Sequence, residues 1–178
     1  AVTIHSGSIS QVKYSGTLQL KDNLNRATNA LPLPITVVVH NEPVPPDPGD
    51  AGKQTLEGID ADNDGVRDDI QRWIVLNYFA SPAIIAGLMQ YAEAVQRSLL
   101  SANSGDRQLV IDNVEKEFNG LSCLSYVMGL EARIESTDKL EVEIFNTRER
   151  SFANIRVESY LGGHVFQGHP STLDKTFC

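Results

Sequence analysis

Residues 81–102, "SPAIIAGLMQYAEAVQRSLLSA", carry the clearest helical pattern in the chain. Ser81 can cap a helix N-terminus, and Pro82 suits the first helical position because no intrahelical hydrogen bond needs its missing N–H. The apolar residues that follow recur every three or four positions and share one face: Ile84, Leu88, Tyr91, Val95 and Leu99. We therefore predict a long amphipathic helix over this stretch.

Helical patterns continue towards the C-terminus. After a Ser104–Gly105 turn, residues 106–129 again place apolar side chains in helical register. Residues 137–163 open on Asp138 and Glu141 at capping-box spacing and end on two glycines, which commonly follow a helix C-terminus. With a further helix beginning after residue 66, the sequence predicts a bundle of about four helices.

The first forty residues have the composition of β-strands. Residues 2–6, 9–20 and 34–40 are rich in β-branched residues, and the segments between them have turn composition, so we expect at least three strands. The stretch 15–41, "SGTLQLKDNLNRATNALPLPITVVVHN", resembles the last two strands of bacterial immunoglobulin-like or cadherin-like modules. That resemblance implies either an immunoglobulin-like remnant or a small sheet.

A proline-rich stretch separates the two patterns. Prolines at positions 43, 45, 46 and 48 favour an extended, semi-rigid backbone. The predicted organisation is a β segment at 1–42, a linker at 43–52 and a helical domain with a calcium loop at 53–178. The predicted fold class is α+β, with a small antiparallel β segment followed by a mainly α-helical bundle.

The stretch "GIDADNDGVRDDIQRWI", residues 58–74, crowds acidic side chains around one glycine just before a helical pattern. Alternating carboxylates before a glycine have the spacing of a calcium-binding loop, in which hard oxygen donors converge on one centre. The ninth loop position supplies a further carboxylate and the seventh its backbone carbonyl. The predicted metal ligands are Asp60, Asp62, Asp64, the carbonyl of Val66, and Asp68.

The twelfth loop position departs from the usual pattern, because Gln71 stands where a bidentate Glu is expected. Either Asp69 or water then completes the ligand shell, or the affinity for calcium is low. Without a cation the crowded carboxylates should have raised pKa values, and Arg67 and Arg72 would balance the surplus charge. The alternative is a solvated acidic loop in which Asp68 and Asp69 interact with the helix dipole.

The loop resembles those of EF-hand proteins, dockerins and thrombospondin type 3 repeats, although no entering helix precedes it. It is more similar to secreted bacterial proteins in which a "GxDxDxDGVRDDI" motif opens a helical domain. That resemblance implies an envelope or extracellular location, a structural calcium ion and no established chemistry.

The chain has two cysteines, Cys123 and Cys178, which could close one disulfide. The alternative, in a reducing compartment, is one buried thiol and one exposed thiol at the last residue. The disulfide favours an oxidising compartment, and the start "AVTIHS" suits a signal-cleaved protein or a trimmed chain. We expect a secreted, periplasmic or cell-surface protein.

Several function classes are disfavoured. A net charge of −8 and scattered basic residues oppose nucleic-acid binding. The apolar stretch 74–89 is interrupted and too short for a membrane span. No hydrolase, zinc-protease, P-loop or dinucleotide motif is present, so an enzyme is not favoured.

We expect a calcium-binding module that acts in surface adhesion or binds a protein or glycan partner. An extracellular hydrolase or inhibitor domain, whose active residues assemble only in the fold, is the alternative.

Overall fold

The computed structural model describes the backbone of residues 12–18 and 33–39, and residues 44–166 and 178 in full. The chain divides into two compact units, Ala1–Pro43 and Val44–Cys178.

In the first unit two strands, β1 (Val12–Leu18) and β2 (Leu33–Val39), pair antiparallel. Val12 lies opposite Val39, and Leu18 lies opposite Leu33. The described residues of this unit form a two-stranded ribbon, without the two packed sheets of an immunoglobulin-like domain. The third predicted strand, at residues 2–6, lies outside the described residues.

Five helices and no strand make up residues 44–166, apart from a short 3-10 helix at Gly49–Lys53. The predicted α+β fold class is therefore wrong, and the described core of the protein is all-α. An α+β fold needs a sheet layered onto the helices of the same core, whereas β1 and β2 pair with each other in a separate unit. The helices are α1 (Asp68–Tyr78), α2 (Pro82–Ser101), α3 (Arg107–Met128), α4 (Leu130–Ile144) and α5 (Arg148–Leu161).

The predicted start of α2 is confirmed, because the Ser81 hydroxyl accepts a hydrogen bond from the backbone N–H of Ile84. The predicted last helix is wrong, since the stretch 137–163 contains parts of two helices. Residues 130–133 are strong helix formers, so α4 begins before Asp138. Thr147 then caps α5 by accepting from the backbone N–H of Arg150 at 3.2 Å.

The core of the helical unit is built around α2. Helices α2 and α3 approach closely at Gly120, where an added Cβ would lie 3.0 Å from the Cα of Tyr91. Buried aliphatic side chains from all five helices fill the interior, including Ile74, Leu88, Leu124, Leu140 and Val157. Within residues 44–166, no helix combines the length and apolarity that a membrane crossing requires.

Candidate functional site

The acidic stretch forms a tight loop at the start of α1. The backbone N–H of Asp68 donates to the Ile59 carbonyl at 2.8 Å and closes the loop. Asn63 and Gly65 have φ values of +59° and +92°, the left-handed conformation that Gly and Asn adopt most readily. These two residues turn the chain back so that side chains on either side of them can meet.

Three of the predicted ligands converge in this loop. Asp60, Asp62 and Asp68 each offer a carboxylate oxygen within 4.8 Å of the other two. The loop backbone holds two of them, since Asp60 Oδ2 accepts from the Gly65 N–H and Asp68 Oδ1 accepts from the Ala61 N–H, both at 3.0 Å. Asp68 is also buried. This acidic cluster is therefore positioned by the fold.

Asp64 and Gln71 lie at the edge of the acidic cluster. The Gln71 amide donates to Asp62 Oδ2 at 3.3 Å and to Asp64 Oδ2 at 3.1 Å, and Asp64 Oδ1 accepts from the backbone N–H of Val66. Partial burial raises the pKa of Asp64, opposed by the Val66 N–H and reinforced by the neighbouring carboxylates, including that of Glu93. The Val66 side chain is buried in the core.

Two buried oxygens of this site have no hydrogen-bond donor among the residues that the structure describes: Asp60 Oδ1 and Gln71 Oε1. A buried acceptor without a donor destabilises the fold, because it has lost its hydrogen bonds to water and has not replaced them with others. One of the two oxygens belongs to the acidic cluster, and the other belongs to the side chain that bridges Asp62 and Asp64. Coordination of a cation by the acidic cluster would satisfy Asp60 Oδ1.

Asp69 is not brought to the acidic cluster. Its two carboxylate oxygens accept from Nε and Nη2 of Arg67, each at 2.9 Å, and Asn146 also donates to it. Burial raises the pKa of Asp69, but the hydrogen bonds and charge of Arg67 outweigh it, so the pKa is lowered. Arg67 is fully buried and also donates to the carbonyl oxygen of Ile144 at the end of α4. The expected charge-balancing role of Arg67 is directed at Asp69.

Arg150 supports the loop from α5, and the sequence analysis missed it. Its guanidinium is fully buried and donates to the carbonyl oxygens of Gly52, Thr55 and Leu56. Burial and the nearby charge of Arg67 lower the pKa of Arg150 to about 10. An arginine in a mixed-charge helix is usually a surface residue, so its sequence context gave no signal. The expected charge-balancing residue Arg72 instead donates to the Pro45 carbonyl at 3.1 Å.

The donors of the acidic cluster are all oxygen atoms, which suits a hard cation such as Ca²⁺ or Mg²⁺ better than Zn²⁺. The chain matches no family model. Searches of curated proteins and of solved structures also find no match.

The two cysteines are paired in the structure. Cys123 is buried on α3, and its Cα lies 5.0 Å from that of Cys178 within a disulfide that joins residues 55 positions apart. The disulfide predicted from the cysteine count is thus seen. It ties the last residue of the chain to the longest helix of the bundle.

Proposed function

We propose that the loop from Asp60 to Gln71 binds one calcium ion. Asp60, Asp62 and Asp68 would hold the ion, with Asp64, the Gln71 amide oxygen and the Val66 carbonyl as the remaining donors. The observation that carries the proposal is the buried, donor-free Asp60 Oδ1 within a cluster of three carboxylates. Asp69 is left out because Arg67 occupies it.

Calcium is favoured over magnesium by the number and kind of these donors. Ca²⁺ accepts six to eight oxygens in flexible geometry, whereas Mg²⁺ demands a near-ideal octahedron and retains its waters. Several carboxylates, one amide and one carbonyl on a short loop fit the larger ion. Because Gln71 supplies a single neutral oxygen, the affinity should lie in the range of about 0.1–1 mM that suits extracellular modules.

The ion would serve a structural role in a secreted or cell-surface module. The loop begins shortly after Gly52, Thr55 and Leu56, whose carbonyls accept from Arg150, and it leads into α1. Calcium in the loop would therefore stiffen the segment that connects the proline-rich stretch to the helices. A rigid joint of this kind serves adhesion or partner binding at a surface, and the disulfide supports an oxidising compartment.

Thermal unfolding in calcium and in chelator tests this proposal. A ligand present at a hundredfold excess over its dissociation constant stabilises the native state by about 3 kcal/mol, so the melting temperature should rise with calcium and less with magnesium. Asp62→Asn should abolish the calcium response. Asp138→Asn, which removes the same charge from the exposed face of α4, should retain it. Identical wild-type curves in calcium and chelator would contradict the proposal.

A further inference from the structure

A second feature of the helical unit is an open groove of about 720 Å³ where the residues that follow α2 meet α5. We call it the α5 groove. It is lined by Ala102, Asn103, Arg148, Glu149, Phe152 and Arg156.

Neither guanidinium of the α5 groove forms an ion pair with a residue that the structure describes. The Arg148 guanidinium lies 5.2 Å from the centre of the Phe152 ring. Arg156 donates through Nη2 to Asn103 Oδ1 at 2.7 Å, while its buried Nε has no acceptor. Among the described residues, no carboxylate lies within salt-bridge distance of either arginine. The groove therefore presents two cationic groups that have hydrogen-bonding capacity left.

The spacing of these side chains describes the ligand. Arg148, Phe152 and Arg156 follow one another at four-residue intervals on α5, so they share a face and the two arginine Cα atoms lie about 12 Å apart. A ligand with two separate anionic groups can pair with both arginines at once. Phe152 lies between them and is 46% exposed, and its neighbour Ile155 is 61% exposed. This face of α5 thus presents a positive charge, then an apolar side chain, then a second positive charge.

We propose that the α5 groove binds an extended acidic peptide segment of a partner protein. In an extended chain, residues i and i+4 point to the same side and lie about 13 Å apart, with residue i+2 midway. Two acidic residues at i and i+4 would pair with Arg148 and Arg156, while an apolar residue at i+2 would cover Phe152. Glu149 can accept a hydrogen bond from a backbone N–H of the peptide.

A continuous polyanion is a poorer match than such a peptide. The net charge of −8 repels a strand with a charge at every unit, whereas a short peptide carries its charges only opposite the arginines. This inference deepens the partner-binding part of the proposed function by giving its surface and chemistry. It does not require the calcium ion.

Fluorescence anisotropy with the full chain tests the inference. The probe is a fluorescein-labelled peptide GESLSEG, and the control peptide GQSLSQG lacks both charges. We expect saturable binding of the acidic peptide only. Arg148→Gln with Arg156→Gln should weaken binding by about tenfold, as expected for the loss of two exposed ion pairs. The matched double variant Lys116→Gln with Lys139→Gln makes the same change in net charge and should bind like wild type.

Further variants test the role of Phe152 and the independence of peptide binding from calcium. Phe152→Ala should weaken binding, and Arg148→Gln alone keeps the test valid if the double variant does not fold, because Arg148 is exposed. The Asp62→Asn variant, measured without calcium, should bind the peptide as wild type does. The peptide test therefore gives the same result whether or not the calcium proposal is correct. No binding at millimolar peptide, equal binding of GQSLSQG, or an equal loss in the lysine variant would overturn the inference. Tighter binding of an oligonucleotide to the same arginines would replace the peptide with nucleic acid.

Discussion

Arg67 donates two hydrogen bonds of 2.9 Å to Asp69 and so gives two adjacent aspartates different roles. Asp68 points into the acidic cluster, while Asp69 neutralises a fully buried guanidinium. That same guanidinium binds the carbonyls of Glu143 and Ile144 at the end of α4. The start of α1 is therefore fixed on one side by the loop and on the other by the bundle.

Asp69→Asn should destabilise the fold without abolishing the calcium response. Removing one partner of a buried ion pair leaves the other charge uncompensated, and Arg67 would keep only neutral acceptors: the new amide oxygen and the carbonyls of Glu143 and Ile144. We expect a loss of about 3 kcal/mol at neutral pH in urea denaturation. Asp138→Asn should cost little because that residue is exposed. A stable Asp69→Asn protein that no longer responds to calcium would instead make Asp69 a metal ligand.

Gln71→Glu should tighten calcium binding. Gln71 already contacts Asp62 and Asp64 through its amide, and a carboxylate at this place in the loop adds a charged and potentially bidentate donor. We expect the dissociation constant to fall by about tenfold or more, as ligand charge count sets affinity in such loops. Without calcium the same variant should be less stable than wild type, because a further carboxylate joins the cluster. An unchanged affinity would show that Gln71 does not face the ion.

Glu117 should make stability depend on pH. Burial raises its pKa to about 7, and the charges of Glu141 and Glu158 act in the same direction, while the hydrogen bond from Ser98 opposes them. Because the folded protein holds this proton more tightly than the unfolded chain, the contribution of Glu117 to stability is fully present below the ordinary pKa of Glu. It falls as the pH rises towards and past 7, by up to about 3 kcal/mol.

Glu117→Gln tests that account, since glutamine cannot ionise. Chemical denaturation between pH 5 and pH 8 should show a smaller decline for the variant than for wild type. The variant should also be the more stable of the two at pH 8. Glu115→Gln, on an exposed part of the same helix, should decline as wild type does. Parallel curves for wild type and Glu117→Gln would remove Glu117 as the cause.

Replacing both Cys123 and Cys178 with Ser should lower stability by about 4 kcal/mol, the chain-entropy value for closing a loop of this length. Guanidinium denaturation of wild type with and without reductant should show the same difference. The reduced wild type and the double serine variant should then coincide. If reductant leaves the wild-type midpoint unchanged, the disulfide does not stabilise the fold.

The sequence predicted those features that depend on local spacing. Ser81 and Pro82 mark the start of α2, and alternation brings Asp60 and Asp62 together with Asp68. The break between α4 and α5 was missed because the spacing of Asp138 and Glu141 looked like the start of a single helix. In the structure the helix formers at 130–133 start α4 earlier, and Thr147 caps a second helix, α5. Residue spacing alone also could not show that Asp69 pairs with Arg67 while Asp68 joins the acidic cluster.

Long-range pairing could not be read from the sequence. Arg150 binds carbonyls about 95 positions earlier in the chain, and no local pattern marks a buried arginine. The α+β prediction failed for a related reason. Strand composition predicted strands where β1 and β2 lie, and their antiparallel pairing was expected, but composition could not show that they would form only a two-stranded ribbon in a unit separate from the helical core.

Calorimetric titration of the chelator-treated protein tests the central claim most directly, because it counts the sites and ranks the ions. The account predicts one calcium site per chain, with calcium bound more tightly than magnesium. Asp60→Asn should abolish this binding, since it removes the carboxylate that carries the buried, donor-free oxygen, and Asp138→Asn should leave it intact. The absence of binding heat at millimolar calcium, or equal binding by Asp60→Asn, would contradict the account.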